Sequence, residues 1–310
     1  MTKWRAIGLL LLLTPLSQAH AEPKDWLDSG KDWVQQLWRN DAQQWLERID
    51  TAVLNHNYKG VIVLARGAAV ESFTVNHQMN NGVETLRLKT LSGEPRELVK
   101  QGGKFQTDAQ ARKGRFSTIS AAEQTIFSQF SHAADNKWYK ASLAGKGRVA
   151  GRSTQVVDIK AEDKLRYSHR LWLDEETGLP LRVLTLDERG GIVEQVVFTQ
   201  IAVSPAPQQS KPKRNAGPKT LDNPYKDVKG FKLIAQENRG GSRHYLYSDG
   251  LSSVSLYVEP SSAREKAQMK RDAVNGLVLA DGKTRYVALG KVPFGTLERF
   301  LAAAGGALAD

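Results

Sequence analysis

From Tyr58 to Ala202 apolar and polar residues alternate with a period of two, and short turn signals cut the run into segments. The segments are Lys59–Ala65, Ser72–Gln78, Glu84–Thr90, Glu97–Lys100, Ser142–Val149, Gln155–Ala161, Tyr167–Asp174, Leu181–Asp187 and Ile192–Ala202. Asn80-Asn81-Gly82, Ser92-Gly93, Thr177-Gly178 and Gly190-Gly191 supply turns between them. In the seventh segment Tyr167, His169, Leu171 and Leu173 share one face, opposed by Ser168, Arg170 and Trp172. Strands in succession joined by short turns predict an antiparallel meander, not a parallel α/β sheet. A helical stretch is expected near Ala121–His132, where Ile126, Phe127 and Phe130 are apolar.

Before Tyr58 the period is that of a helix. Trp38, Ala42, Trp45, Ile49 and Val53 recur at three- and four-residue steps, while Asp41, Glu47 and Arg48 lie off that stripe. Four of the seven tryptophans fall between Trp26 and Trp45, and Ser29-Gly30 interrupts the upstream part. A helix packed on the sheet is expected. Mixed charges argue against an amphipathic membrane anchor.

After Ala202 the composition changes. Residues 204–228 hold five of the eleven prolines and the basic cluster Lys211, Lys213 and Arg214, the marks of a semi-rigid linker. Beyond it, strands are predicted at Phe231–Gln236, Arg243–Ser248, Ser252–Val258 and Thr284–Leu289, with Ser248-Asp249-Gly250 as a hairpin turn. Ser262 and Glu265 match a capping box, which predicts a helix running to Val274. A second helix follows Pro293 through Leu297, Phe300 and Leu301 and ends at Gly305-Gly306. The fold class is therefore α+β: a large antiparallel N-terminal sheet domain over residues 22–203, a linker over 204–228, a small α+β domain over 229–304 and a tail over 305–310.

The first 21 residues form a separate element. Lys3 and Arg5 precede an apolar run from Ala6 to Leu13, and Ala19-His20-Ala21 places small residues where a signal peptidase cuts. The run is about half of the ~20 residues that span a bilayer, which predicts cleavage after Ala21 and export. Removal of Lys3 and Arg5 lowers the net charge from +11 to +9. In an exported protein that charge fits anionic lipid or an acidic protein segment and not nucleic acid. There are no cysteines, which excludes disulfides, thiolate metal sites and a cysteine nucleophile.

Catalytic chemistry finds no foothold. His56, His77, His132, His169 and His244 stand in no metal-binding spacing, and no Gly-x-Ser-x-Gly elbow occurs. Gly145-Lys-Gly147-Arg-Val-Ala-Gly151 has its third glycine one residue too late for a dinucleotide fingerprint and is followed by strand, not helix. Asp174-Glu175-Glu176 and Asp187-Glu188 fall on hairpin tips, where carboxylates are simply solvated. No cofactor and no catalytic residue is expected, and the chain reads as a binding protein.

Against that background several stretches resemble the sigma-E factor regulatory protein family, RseB/MucB. They include Trp138-Tyr139, Gly147-Arg-Val-Ala-Gly-Arg152, Arg166-Tyr167 and Leu173-Asp-Glu-Glu-Thr-Gly-Leu-Pro-Leu-Arg182. Leu186-Asp-Glu-Arg-Gly190 and Glu194-Gln-Val-Val-Phe-Thr199 continue the likeness. Gln44-Trp-Leu-Glu-Arg48, Asn57-Tyr-Lys-Gly60 and Arg96-Glu-Leu-Val99 extend it upstream. In the small domain Gly230-Phe231, Tyr247-Ser-Asp-Gly-Leu251, Ser255-Leu-Tyr-Val-Glu-Pro260 and Gly290-Lys-Val-Pro-Phe-Gly-Thr296 carry it.

The resemblance implies an N-terminal domain like the lipoprotein carriers LolA and LolB, an unclosed antiparallel barrel wrapped over helices around an apolar cavity. It implies a periplasmic negative regulator of envelope stress. Such a protein binds the periplasmic domain of a membrane anti-sigma factor of the RseA/MucA kind and shields it from proteolysis. Mislocalised lipopolysaccharide or lipoprotein acyl chains release it. Strand alternation nominates Phe73, Leu86, Leu88, Trp172 and Phe198 for the cavity. Arg243, Arg264, Lys266, Lys270 and Arg271 are nominated for the anti-sigma site, with Lys266 and Lys270 one helical turn apart. The Trp-rich stretch 22–41 and the region 101–136, with Lys104-Phe105, Arg112-Lys113 and Arg115-Phe116, depart from the family pattern. The alternative is a periplasmic lipid or lipoprotein carrier without an anti-sigma partner, and the sequence leaves homo-oligomerisation open.

Overall fold

The computed structural model describes residues 41–102, 104–106, 130–207, 221–226, 228–271 and 273–305. The signal segment, the Trp-rich stretch up to residue 40, residues 121–129 of the helix expected over 121–132, Arg112, Lys113, Arg115, Phe116 and the linker's basic cluster lie outside the described residues. The described residues fall in one compact unit.

Two antiparallel meanders build the larger lobe. The first comprises β1 (His56–Arg66), β2 (Ala69–Asn80), β3 (Val83–Thr90), β4 (Glu97–Gln101) and β5 (Lys104–Gln106). The second comprises β6 (Tyr139–Val149), β7 (Arg152–Ala161), β8 (Ser168–Asp174), β9 (Pro180–Leu186) and β10 (Ile192–Pro205). They join where β1 pairs with β10, giving one ten-stranded sheet with β5 and β6 at its edges. The sheet is therefore unclosed. All nine neighbouring pairs run antiparallel, as the short turns require.

Helix α1, residues 41–55, lies on the sheet's inner face. Its buried stripe is Ala42, Leu46, Ile49, Ala52 and Val53. Trp45, expected on that stripe, sits at its border, half-buried with the Arg48 guanidinium 4.2 Å over its ring. Leu46, fully buried, takes the central place, because a branched aliphatic fits the space over the sheet while the indole covers the helix flank.

The smaller lobe is a six-stranded sheet in the order β11-β12-β13-β16-β15-β14. Its strands are β11 (Lys232–Arg239), β12 (Ser242–Ser248), β13 (Ser253–Pro260), β14 (Arg264–Arg271), β15 (Val274–Asp281) and β16 (Thr284–Gly290). Helix α2 (Phe294–Ala303) follows Pro293 and packs Leu297, Phe300 and Leu301 against Phe231, Tyr247, Val254 and Leu256. The lobe is α+β.

Two neighbouring elements of this lobe depart from expectation: β15 is not among the predicted strands, and β14 replaces a predicted helix. The helix predicted from Ser262 to Val274 is instead strand β14, paired residue for residue with β15 from Arg264↔Asp281 to Arg271↔Val274. Its residues are good helix formers, yet β15 is buried on both faces and offers a backbone edge that a helix could not satisfy. The tertiary partner outweighs the local propensity. The expected linker is likewise held at both ends. Strand β10 runs to Pro205 and the Ala206 N–H donates to the Asn55 carbonyl, while the Leu221 N–H donates to Leu233.

Candidate functional site

The inner face of the large sheet collects the side chains nominated for an apolar cavity. Phe73, Leu86, Leu88 and Phe198 are all at or near zero exposure and belong to one core with Leu46 and Ile49 of α1. Trp172 only borders that core, half-buried. In β8 it alternates with His169, Leu171 and Leu173, so it points to the opposite face, where the Arg182 guanidinium lies 4.4 Å over its ring. A hollow of about 380 Å³ opens among α1, the turn at Phe130–Ala133 and β6, near Gln43, Asn136 and Lys140. Another of about 530 Å³ lies on the sheet around Gly60 and Ile201. None of the five nominated residues lines either one.

A second assembly of buried polar groups joins the two lobes. Arg166, 1% exposed, sends Nε to Asp249 Oδ2 at 2.6 Å, Nη1 to Asp163 Oδ2 at 2.5 Å and Nη2 to the Lys229 carbonyl at 2.7 Å. Its guanidinium also stands 5.0 Å from the rings of Trp138 and Phe231. Tyr139 donates to the same Asp249 oxygen at 3.0 Å, and burial together with the Asp249 charge pushes its phenol pKa up. Asp249 in turn accepts from the backbone N–H groups of Leu251 and Ser252, which closes the β12–β13 turn. Leu251, from that turn, is buried in the core of the large lobe.

Around this pair run further bonds between lobes. Asn275 donates to Tyr167 at 3.0 Å, Thr296 donates to the Leu165 carbonyl at 2.7 Å, and Lys291 Nζ meets the fully buried Glu194 at 2.6 Å. Near them His169 is wholly enclosed. Burial, with the Lys291 charge as a lesser cause, holds its pKa down at about 3. The imidazole is thus neutral in the folded protein.

The acidic hairpin tips organise turns. Asp174 accepts two bonds from Arg152, at 2.9 and 2.8 Å, and one from the Thr177 hydroxyl at 2.6 Å. Burial raises the Asp174 pKa, and these hydrogen bonds outweigh it to leave the carboxyl below its ordinary range. Asp187 accepts from the backbone of Arg189 and Gly191.

The family model for the MucB/RseB N-terminal domain matches residues 41–216, and that for the MucB/RseB C-terminal domain matches residues 224–304. The chain belongs to the MucB/RseB family. The sigma factor AlgU regulatory protein MucB of Pseudomonas aeruginosa is 29% identical over 285 residues, which cover 84% of this chain and 89% of that protein. The sigma-E factor regulatory protein RseB of Salmonella typhimurium is 28% identical over 251 residues, covering 73% and 78%. Among solved structures, the complex of Pseudomonas aeruginosa MucA/MucB superposes with a TM-score of 0.65 at 26% identity, covering 84% of this chain and 96% of that chain.

Within this MucB/RseB chain the basic residues nominated for a partner separate into two places. Arg264, Lys266, Lys270 and Arg271 lie on β14, an edge strand, and are exposed. A helical face is therefore not what unites them. Alternation puts Arg264, Lys266 and Lys270 on one side of the strand and Arg271 on the other. Arg243 belongs to β12, four strand positions away and so roughly 19 Å off at the usual strand spacing. The residues that sequence reasoning passed over are those of the junction: Arg166, Asp249, Tyr139, Asn275, Glu194 and Lys291. Arg166-Tyr167 and the Ser-Asp-Gly turn both stood within family-like stretches, but nothing local ties one to the other.

Proposed function

We propose that this chain is a periplasmic negative regulator of a sigma-E-type envelope-stress response. It acts by binding, with no chemical step. It holds the periplasmic domain of a membrane anti-sigma factor and keeps that domain from regulated proteolysis. Mislocalised lipopolysaccharide or lipoprotein acyl chains release it. The observation that carries this role is likeness across both lobes to MucB as solved with MucA, together with both family domains in a single chain.

The physical requirements follow from linkage. A releasing lipid shifts the equilibrium only by the difference between its affinities for the partner-free and partner-bound states. An acyl chain entering beneath the large sheet has to displace packed side chains, since Phe73, Leu86, Leu88 and Phe198 are closed against α1. Entry therefore moves α1 or the sheet, and the polar junction at Arg166 and Asp249 links that movement to the small lobe. Cleavage of the signal after Ala21 delivers the protein to the compartment where both partner and lipid reside.

Calorimetric titration of the mature protein with its organism's anti-sigma periplasmic domain tests the role. Saturable one-to-one binding, weakened by added lipopolysaccharide, is the expected result. No heat and no complex at micromolar concentrations would remove the regulatory role. Tight acyl-chain binding without any anti-sigma binding would instead make the protein a carrier.

A further inference from the structure

Strand β14 is the last strand of its sheet among the described residues, and its pairing with β15 is continuous over eight residues without a bulge. The Gly282 N–H donates to the Ala263 carbonyl, one step beyond the Arg264↔Asp281 pair. Antiparallel alternation then turns the backbone groups of Glu265, Ala267, Met269 and Arg271 toward β15. Those of Arg264, Lys266, Gln268 and Lys270 point away from the sheet. The side chains sort in the same way. Lys266 pairs with Leu279 and Gln268 with Leu277, both part of the core under α2, so the cationic residues with outward backbone groups also share the α2 side. On the other side Ala267 pairs with Val278, and Met269, 46% exposed, lies over Gly276.

We propose that β14 takes up an extended acidic peptide segment as a seventh strand of the small lobe's sheet, with carboxylates at every second residue facing Arg264, Lys266 and Lys270. Small apolar residues between them lie over Ala267 and Met269. Backbone bonds supply affinity and alternate side chains supply selectivity, as in other strand additions. Charge decides the occupant. The strand carries four cations against the single carboxylate of Glu265. Pairing of two copies through β14 would set these cations against each other, and like charges facing across strands repel. Cations on an open edge also repel neutral and basic strands, a common protection, while selecting an acidic one. This inference deepens the regulatory role by assigning the segment to the anti-sigma partner, and it rests on that role for the partner's identity only.

The test uses the mature protein, Gln268→Pro and Lys266→Glu/Lys270→Glu. Proline at 268 removes an outward N–H and leaves the bonds to β15, so the thermal midpoint is expected to stay unchanged. The probe is a fluorescein-labelled twelve-residue peptide alternating Glu with Thr and Val, read by anisotropy at low salt, with heparin and a Lys-alternating peptide as controls. Both variants are expected to weaken acidic-peptide binding by about tenfold or more. Bound peptide is expected to slow hydrogen exchange at the amides of Lys266, Gln268 and Lys270. Undiminished binding to Gln268→Pro, with loss in the charge variant alone, or heparin competing equally for both backbones, reduces β14 to a charged surface and overturns the proposal. The same proteins are titrated with the anti-sigma periplasmic domain. Equal binding to wild type and Gln268→Pro overturns the strand addition and leaves the regulatory role standing. Binding of the peptide at the edge, with no binding of the anti-sigma domain, supports the strand addition and ends the regulatory role.

Discussion

Arg166 Nε lies 2.6 Å from Asp249 Oδ2, with both side chains fully withdrawn from solvent and 83 positions apart in the chain. Each charge came out of water at a cost that the other offsets, helped by the Tyr139 hydroxyl and the Leu251 and Ser252 N–H groups donating to Asp249 and by Arg166 donating to Asp163 and the Lys229 carbonyl. Removing Arg166 leaves Asp249 buried without its counter-charge, and removing the Asp249 charge leaves Arg166 with Asp163 alone. Arg166→Ala and Asp249→Asn are each expected to destabilise the protein by about 3–5 kcal/mol in urea denaturation. The single unfolding transition should split as the lobes lose their connection. A loss below about 1 kcal/mol, the size of an exposed ion pair, would contradict the junction's role.

Gly230 sits against that pair with φ 86°, and a Cβ placed there would lie 2.3 Å from Arg166 Nη2 and 2.7 Å from the Trp138 ring. Gly230→Ala therefore combines left-handed strain with overpacking and is expected to cost about 3 kcal/mol. Gly82→Ala, at φ 76° with open space around it, is the control and should cost about 1 kcal/mol. Thermal midpoints of the two variants check the contrast.

His169 gives the protein an acid sensitivity whose sign is fixed. Unfolded, its imidazole takes up a proton below its ordinary 6.5, whereas folded it resists until about 3. Between those values the unfolded state binds more protons, so stability falls as pH falls, by up to about 1.4 kcal/mol per pH unit from this group. The contribution is fully present above pH 6.5. His169→Gln should show a shallower decline of stability between pH 6.5 and 4 than wild type. An unchanged slope would mean that His169 is charged in the fold.

The large lobe's core separates two of the residues nominated for the cavity. Phe73→Ala empties a fully buried site and is expected to cost about 3–5 kcal/mol, while Trp172→Ala, on the opposite face against Arg182, should cost less. If acyl chains enter under the sheet, Phe73→Ala also enlarges that space, and binding of a fluorescent fatty-acid analogue should tighten. Trp172→Ala should leave it unchanged.

The large sheet was legible because its strands alternate against one core and turns such as Asn80-Asn81-Gly82 separate them. Helix α1 was legible as a helix, though its stripe centres on Leu46 and not Trp45. Strand β14 was not legible. Glu265, Lys266, Ala267, Gln268, Met269 and Lys270 favour a helix in isolation, and only the doubly buried β15 recruits them to a sheet. Arg166 and Asp249 meet through topology, which no local pattern records. Cationic residues at 264, 266 and 270 were visible as charge, but their common side is a strand's and not a helix's.

Protection of the anti-sigma factor is the most direct test of the proposed role. Its periplasmic domain is exposed to the protease that cleaves it, alone, with an equimolar amount of the mature protein, and with the protein plus lipopolysaccharide. Cleavage is expected nearly to stop in the second mixture and to resume in the third. Cleavage at the unprotected rate with the protein in excess would contradict that role.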